Sequence, residues 1–167
     1  MSFEQLNVQT NIVKALKEHG IVEPTVIQQK AIPLIKSGKD LVGMSRTGSG
    51  KTAAFGIPVI DNLRGSNLQA IVMAPTRELA YQISGELQKF SKYQKVRIAT
   101  VFGGVALGPQ IDQMARAQIV VATPGRMLDH LNRGNVDLSH IKCFVLDEAD
   151  KMVEMGFIED IEANKTK

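Results

Sequence analysis

The sequence predicts an α/β domain in which a mostly parallel sheet is covered by helices on both faces. Short apolar segments, such as residues 70–73 and 119–122, alternate with longer segments whose apolar residues recur at helical spacing, such as residues 78–90. Strands that are buried on both faces have continuous apolar sequences of this kind. A glycine-rich loop at residues 45–52 also follows an apolar run and precedes a helical segment. This order of strand, loop and helix supports the same fold class.

The elements follow one another along the whole chain. The first helical segment ends at Gly20, and the second runs from Thr25 to Gly38, with a kink expected at Pro33. The apolar run 41–42 precedes the glycine-rich loop. The remaining predicted strands are 70–73, 96–101, 119–122 and 143–146, and the remaining predicted helices are 53–63, 78–90, 110–114 and 125–131. On the helix 78–90, the residues Leu79, Ile83, Leu87 and Phe90 are predicted to share the buried face.

Composition indicates one globular domain and is compatible with an anionic partner. The 167 residues are 44% apolar and 22% charged, which is enough for a substantial core. A formal charge of +3 and a pI near 9.0 fit an anionic partner without establishing one. Aromatic residues make up only 5% and Trp is absent, so contacts to a phosphate backbone are favoured over base stacking.

The cysteine and histidine residues predict neither a disulfide nor a metal centre. Cys143 has no partner cysteine, and its apolar surroundings predict a small core residue rather than a nucleophile or metal ligand. His19, His130 and His140 lack a metal-binding spacing. The first residues resemble neither a signal peptide nor a transit peptide, and no apolar run is long enough to span a membrane. We therefore expect a cytoplasmic protein.

The glycine-rich loop Ser-Arg-Thr-Gly-Ser-Gly-Lys-Thr, residues 45–52, predicts a nucleotide-binding site. Its backbone N–H groups would surround phosphate oxygens, Lys51 would contact the β- and γ-phosphates, and Thr52 would bind Mg²⁺. The general phosphate-binding loop has Gly where this chain has Ser45. The residues assigned to the nucleotide are Thr47, Gly48, Ser49, Gly50, Lys51 and Thr52.

The sequence Asp-Glu-Ala-Asp, residues 147–150, lies at the end of the predicted strand 143–146. Ligands of parallel α/β sheets bind at the carboxyl ends of the strands. Asp147 is therefore a candidate ligand of Mg²⁺, and Glu148 is a candidate to orient or deprotonate the attacking water. Lys51, Asp147 and Glu148 form the predicted catalytic set. A solvated loop or an acidic helix N-terminus is the alternative interpretation of this cluster.

Together, these motifs resemble the first RecA-like domain of the DEAD-box ATP-dependent RNA helicases. The resemblance runs from Phe3 to residues 156–157 and includes the phosphate-binding loop, the acidic motif and several shorter segments in the family's order. That family has a small residue at the start of the loop, which accounts for Ser45. One position departs, because the family usually has Phe or Tyr where this chain has Ile21.

The resemblance implies an adenine contact by Gln28, with Phe3 stacking near the base. A glutamine amide can pair with the N6 and N7 edge of adenine. The sequence also allows simpler roles. Thr25 and Gln28 have the spacing of a capping box, which would satisfy the backbone at a helix start. The two roles of Gln28 are compatible through different amide atoms, and Phe3 is alternatively an N-terminal core anchor.

Three further segments resemble the family's RNA-backbone contacts. Each one follows a predicted strand, and none presents an obvious base-reading side chain, so binding without sequence preference is expected. At Thr123, helix capping is the simpler alternative, and a plain turn is the alternative at the paired glycines. The residues assigned to RNA are Pro75, Thr76, Arg77, Gly103, Gly104, Thr123, Pro124, Gly125 and Arg126.

The resemblance also divides the chain and predicts what it lacks. We expect an adenine-reading helical segment at residues 1–40, a RecA-like core at 41–157 and a polar tail at 158–167. Family members continue with a strand ending in Ser-Ala-Thr and a second RecA-like domain, to which Asp150 would couple. Without them we expect exposed sheet edges, a tendency to self-associate and weak or no turnover. The alternatives are thus an RNA-dependent ATPase and a module that binds nucleotide or RNA without turnover.

Overall fold

The computed structural model of the chain describes residues 1–39 and 50–154. The predicted strand 41–42 lies outside the described residues. The helices are α1 (Thr10–Glu18), α2 (Val26–Lys36), α3 (Lys51–Asp61), α4 (Arg77–Phe90), α5 (Leu107–Arg116), α6 (Pro124–Asn132) and α7 (Ala149–Glu154). The strands are β1 (Ala70–Met73), β2 (Ile98–Val101), β3 (Ile119–Ala122) and β4 (Cys143–Leu146). The chain divides into two compact units, residues 1–64 with 85–96 and residues 65–84 with 97–167.

The four strands form a parallel sheet in the second unit, which confirms the predicted sheet type. Their order is β2, β3, β1, β4, and β1 pairs with both β3 and β4. All residues of β1 and β3 are buried, as their continuous apolar sequences predict. The residues of β4 are only partly buried, and within the described part of the chain this strand forms one edge of the sheet.

The core of the second unit is formed by side chains from the sheet and from the helices that follow its strands. Ile71, Val120 and Met127 belong to this cluster, together with Met114 of α5 and Met152 of α7. Unbranched methionine side chains fill irregular gaps between helix and sheet. The apolar pattern of the sequence, with strands and helices in alternation, thus produces a core between one face of the sheet and the helices α5, α6 and α7.

The buried face of α4 differs from the prediction at its first residue. The helix begins at Arg77, and Ala80 is fully buried while Leu79 is only partly so. Ala80 is followed on the same face by Ile83, Leu87 and Phe90, at the three- and four-residue spacing of an amphipathic helix. The predicted face was therefore correct at three of its four residues, and wrong at the first.

In the first unit, a buried ion pair joins the ends of α2 and α3. Lys36 Nζ lies 2.6 Å from Asp61 Oδ2, and the Asp61 side chain is only 2% exposed. The Asp61 carboxylate also accepts a hydrogen bond from the Gln9 backbone, and the Gln9 side chain donates to the Asp61 carbonyl oxygen. A buried carboxylate needs such partners because its desolvation is costly. These contacts connect α2, α3 and the residue that precedes α1.

Candidate nucleotide and RNA sites

The end of the phosphate-binding loop is described from Gly50 onward, in the first unit. Gly50 precedes α3 and adopts a left-handed backbone with φ of +88°, which favours glycine because it has no side chain to clash. Lys51 and Thr52 form the first turn of α3, and the N–H groups and dipole at the start of a helix favour an anion. Thr47, Gly48 and Ser49 lie outside the described residues.

Gln28 forms the predicted capping box and also contacts the end of the phosphate-binding loop. Its backbone N–H donates to Thr25 Oγ1 at 3.4 Å, and its Oε1 accepts from the Thr25 N–H at 3.0 Å. Its Nε2 donates to the Gly50 carbonyl oxygen at 3.2 Å, and the side chain is 3% exposed. The capping interpretation is therefore correct. The adenine contact stays a prediction, and it would have to use the remaining hydrogen and lone pair of this amide.

Phe3 is a core residue of the first unit. Its side chain is 1% exposed, and its carbonyl oxygen accepts hydrogen bonds from the N–H groups of Leu6 and Val8. The core-anchor interpretation thus describes its position. Stacking of this ring near a base stays a prediction, and it would require one face of the ring to be uncovered.

The acidic motif follows β4 in the second unit, at the carboxyl end of the strand. The Asp147 N–H donates to the Met73 carbonyl oxygen at 2.9 Å, and so extends the pairing of β4 with β1. Asp147 Oδ1 accepts from the Glu148 N–H at 3.0 Å. Asp147 and Glu148 are partly buried, whereas Asp150 is exposed in the first turn of α7. The motif therefore lies at the end of a strand, as predicted, and its last two residues begin a helix, as the alternative interpretation has it.

Glu148 has a backbone conformation that glutamate rarely adopts. Its φ of +53° lies in the left-handed region, where a non-glycine residue costs about 1–3 kcal/mol. The Asp147 carboxylate accepts its N–H, and the Glu148 carbonyl oxygen accepts the N–H of Met152 in α7 at 3.4 Å. These contacts hold the strained residue, and strain of this kind is concentrated at functional sites.

Arg77, Phe102 and Gly104 lie together at another strand end of the second unit. The guanidinium carbon of Arg77 is 4.4 Å from the centre of the Phe102 ring, a cation–π contact. Tyr81, one turn along α4, packs against the same ring with 5.0 Å between ring centres. Gly104 has a φ of +86°, and a Cβ built there would lie 3.8 Å from Arg77 Nη1. Thr76 caps the start of α4 by accepting the N–H of Leu79.

The segment from Thr123 to Arg126 begins α6. Pro124 occupies the first helical position as predicted, but Thr123 makes no side-chain cap hydrogen bond, so the alternative interpretation of Thr123 as a helix cap was wrong. Its N–H instead donates to the Val101 carbonyl oxygen. Arg126 Nη1 donates to the Val105 carbonyl oxygen at 2.8 Å and to Gln110 Oε1 at 3.1 Å. Two of the three predicted RNA segments, 103–104 and 123–126, are thereby connected.

Sequence reasoning missed Phe102 and Gln110, which join the predicted RNA residues. Phe102 stands directly before the paired glycines, and an aromatic residue next to a predicted RNA contact could have indicated its role. Gln110 gave no signal, because a polar residue in an amphipathic helix normally faces solvent. It is nevertheless 4% exposed, and its Nε2 donates to the Phe102 carbonyl oxygen at 2.9 Å.

Burial shifts the pKa values of two titratable groups of the second unit. Burial lowers the pKa of His130 below its ordinary value of 6.5, Arg126 and Arg133 lower it further, and Asp129 opposes them. His130 is therefore neutral near pH 7. Burial also raises the pKa of the Cys143 thiol, which disfavours a nucleophile, but the side chain is only partly buried, so the expected core position was wrong.

The described part of the chain contains neither a cluster of metal-binding side chains nor a membrane-spanning helix. Residues 1–39 and 50–154 contain no group of three or more His, Cys, Asp or Glu side chains that could hold a metal ion. No helix in those residues is long and apolar enough to cross a membrane.

A parallel sheet with an acidic strand end, in a chain with a glycine-rich sequence before α3, is typical of α/β domains of the nucleotide-binding class. Residues 25–167 match the DEAD/DEAH box helicase family, and the chain belongs to that family. It is 48% identical to the ATP-dependent RNA helicase CshA of Limosilactobacillus reuteri, over 98% of this chain and 33% of that protein. It is 50% identical to CshA of Listeria monocytogenes, over 96% of this chain and 31% of that protein.

The fold is likewise that of solved members of the family. A crystal structure of a DEAD box protein from Methanococcus jannaschii superimposes with a TM-score of 0.93 at 46% identity, over 97% of this chain and 45% of that one. This confirms the expected RecA-like fold. The chain thus spans 31–45% of the length of these relatives.

Proposed function

We propose that this chain is the ATP- and RNA-binding domain of an ATP-dependent RNA helicase. The observation that carries the proposal is the connection of Arg77, the turn at Gly104 and Arg126 through Phe102 and Gln110. Two cationic side chains and an open glycine turn in one place suit a phosphate backbone, and none of them reads a base. The similar proteins are named ATP-dependent RNA helicases, which supports the same assignment.

For the nucleotide, we propose that the family's roles apply residue by residue. Thr47 to Thr52 bind the phosphates, with Thr52 and Asp147 as ligands of Mg²⁺, while Gln28 and Phe3 contact the adenine. Glu148 orients the attacking water, and Asp150 couples to a second RecA-like domain. The left-handed Gly50 and the start of α3 support an anion site. The strained Glu148 supports a functional role for the acidic motif.

Nucleotide binding is tested by titration with Mg-ADP. We expect binding at millimolar concentration or below, and we expect Lys51→Ala to weaken it most, because Lys51 carries the charge that offsets the phosphates. Removal of Mg²⁺ with a chelator should weaken binding to the wild-type chain. If the wild-type chain binds no Mg-ADP at millimolar concentration, the proposed nucleotide site is wrong.

Base preference is tested by comparing ADP with GDP. Guanine has an acceptor where adenine has the N6 donor, so a Gln28 contact should favour ADP. Gln28→Ala should abolish this preference, and it should also lower stability by about 0.5–2 kcal/mol through loss of the cap. If Gln28→Ala lowers stability but the wild-type chain binds ADP and GDP equally, Gln28 has the capping role alone.

Turnover distinguishes an enzyme from a binding module. The family's arginine finger belongs to the second domain, and such a finger is worth about 10³–10⁵ in rate. We therefore expect the 167-residue chain to hydrolyse ATP slowly, with little stimulation by RNA and no unwinding. Addition of a separate second domain should restore stimulated hydrolysis. Robust RNA-stimulated turnover by the chain alone would contradict this expectation.

Three further proposals concern self-association, the division of the chain and its location in the cell. The edge strand β4 is partly exposed, so we propose that copies of the chain self-associate there, which sedimentation at several concentrations would detect. The predicted division at residues 40 and 157 is testable by limited proteolysis. A cytoplasmic location stays a proposal that cell fractionation can test.

A further inference from the structure

Gln110 lies at the centre of a buried hydrogen-bond network in the second unit. Its Nε2 donates to the Phe102 carbonyl oxygen at 2.9 Å, and its Oε1 accepts from Arg126 Nη1 at 3.1 Å and lies 3.0 Å from His130 Nε2. A guanidinium can only donate and a carbonyl oxygen can only accept, so the orientation of the amide is fixed. Only a glutamine-like group, with a donor and an acceptor side by side, satisfies all of these partners.

The network also fixes the tautomer of His130. Because Gln110 Oε1 can only accept, His130 Nε2 must carry the hydrogen. His130 Nδ1 then accepts from Asn135 Nδ2 at 3.2 Å, and the imidazole, which is fully buried, has a partner at each nitrogen. Every polar atom at the centre of the network is therefore paired, and a satisfied buried network favours one arrangement of its members.

The outer ends of the network are the predicted RNA contacts. Arg126 donates from one nitrogen both to Gln110 and to the Val105 carbonyl oxygen, on the far side of the glycine turn. Phe102, whose carbonyl oxygen is held by Gln110, provides the ring on which Arg77 lies. Gln110 thus contacts the residue before the glycine turn and the arginine that reaches across it.

We infer that Gln110 is a positioning residue for RNA: it holds the glycine turn 103–104 and the Arg126 guanidinium in the arrangement that receives a phosphate backbone. The inference rests on the proposed function for the identity of the ligand. Binding is strengthened when side chains are ordered in advance, because the ligand then does not have to order them. An arginine that is free to rotate would be less effective.

Two substitutions of Gln110 distinguish the loss of both its donor and its acceptor from the loss of the donor alone. Gln110→Leu removes both the donor and the acceptor at similar volume. Gln110→Glu keeps the acceptor for Arg126 but loses the donor to the Phe102 carbonyl oxygen. Asn135→Ala is the matched control, because it removes a partner of the same network on the side away from the RNA contacts.

The first readout is the anisotropy of a labelled single-stranded oligouridine in a salt series. We expect Gln110→Leu to weaken binding by about 3- to 10-fold, the effect of one flexible side chain that must be ordered on binding. In an Arg126→Ala background the same substitution should weaken binding much less. Asn135→Ala should leave RNA binding unchanged, and Mg-ADP binding should be unchanged in Gln110→Leu, Gln110→Glu and Asn135→Ala.

The second readout does not depend on RNA. We expect the backbone amide of Gly104 and the side-chain Nε–H of Arg126 to lose order in NMR relaxation in Gln110→Leu, but not in Asn135→Ala. If both groups stay as ordered as in the wild type, the inference is overturned. It is also overturned if Gln110→Leu weakens RNA binding by the same factor in the Arg126→Ala background as in the wild type. Loss of order in a chain whose wild type binds no RNA would support the positioning role and refute the RNA function.

Discussion

The amide nitrogen of Gln28 lies 2.4 Å from the point where a Cβ of residue 50 would be, and it donates to the carbonyl oxygen of that same residue. Glycine is thus favoured at position 50 for two separate reasons. The φ of +88° disfavours any L side chain, and a Cβ there would require the Gln28 amide to move. The start of α2 and the start of α3 are held together through this contact.

The first prediction is that Gly50→Ala destabilises the chain more than Gly20→Ala. Gly20 also has a left-handed backbone, but nothing lies within 4 Å of its Cβ position. Each substitution should cost about 1–2 kcal/mol for the backbone. At Gly50 the displaced Gln28 amide should add about 0.5–1.5 kcal/mol for a lost hydrogen bond. Denaturant unfolding gives both values, and equal losses would mean that Gln28 moves aside without cost.

A second prediction concerns the strained Glu148. Glu148→Gly should be more stable than Glu148→Ala, because glycine adopts the observed φ of +53° without strain. Relief of about 1–2 kcal/mol is partly offset by about 0.4–1 kcal/mol from the more flexible unfolded chain. We therefore expect a net gain of up to about 1.5 kcal/mol in the free energy of unfolding. An alanine variant of equal or higher stability would show that residue 148 is not strained.

The sequence predicts local contacts of this domain far better than distant ones. The capping box follows from the spacing of Thr25 and Gln28, and the parallel sheet follows from its apolar strands. The left-handed Glu148 has no sequence signal, because glutamate does not favour that conformation. Its conformation follows from the junction of β4 and α7.

The role of Gln110 could not be predicted for a related reason. Its partners Phe102 and Arg126 are 8 and 16 residues away, so only the fold brings them together. Periodicity reports which residues are apolar, and it cannot identify a buried polar residue in an otherwise ordinary helix. The residues that we propose to contact RNA could therefore be named only as separate segments, and the network between them could not be predicted.

The third prediction is a loss of stability at mildly acid pH through His130. Its pKa is lowered in the folded state by burial and by Arg126 and Arg133, against the opposing charge of Asp129. The unfolded chain therefore binds a proton first as pH falls. The contribution of His130 to stability is complete above pH 6.5 and is lost as pH falls from there toward the lowered pKa. Urea unfolding between pH 8 and pH 5 measures this loss.

The control for this pH effect is His130→Gln. That variant is expected to be less stable at pH 8, because it disturbs the network, but it should lose less additional stability between pH 8 and pH 5. An NMR titration of the His130 ring gives the folded-state pKa directly. A value at or above 6.5 would contradict the prediction.

The last prediction separates the two glycines that were assigned to RNA. Gly104 has a φ of +86°, so Gly104→Ala should cost about 1–2 kcal/mol of stability. At Gly103 the backbone is not left-handed, and nothing lies within 4 Å of the Cβ position, so Gly103→Ala should change stability by no more than about 0.5 kcal/mol. If a phosphate backbone approaches the main chain here, the added methyl group of Gly103→Ala obstructs it without altering the fold. We therefore expect this variant to bind oligouridine more weakly than the wild type while its unfolding curve is unchanged. Unchanged RNA affinity in Gly103→Ala, together with weakened affinity in Gly104→Ala, would mean that the turn serves to place Arg77 and Arg126 and that RNA does not touch residue 103.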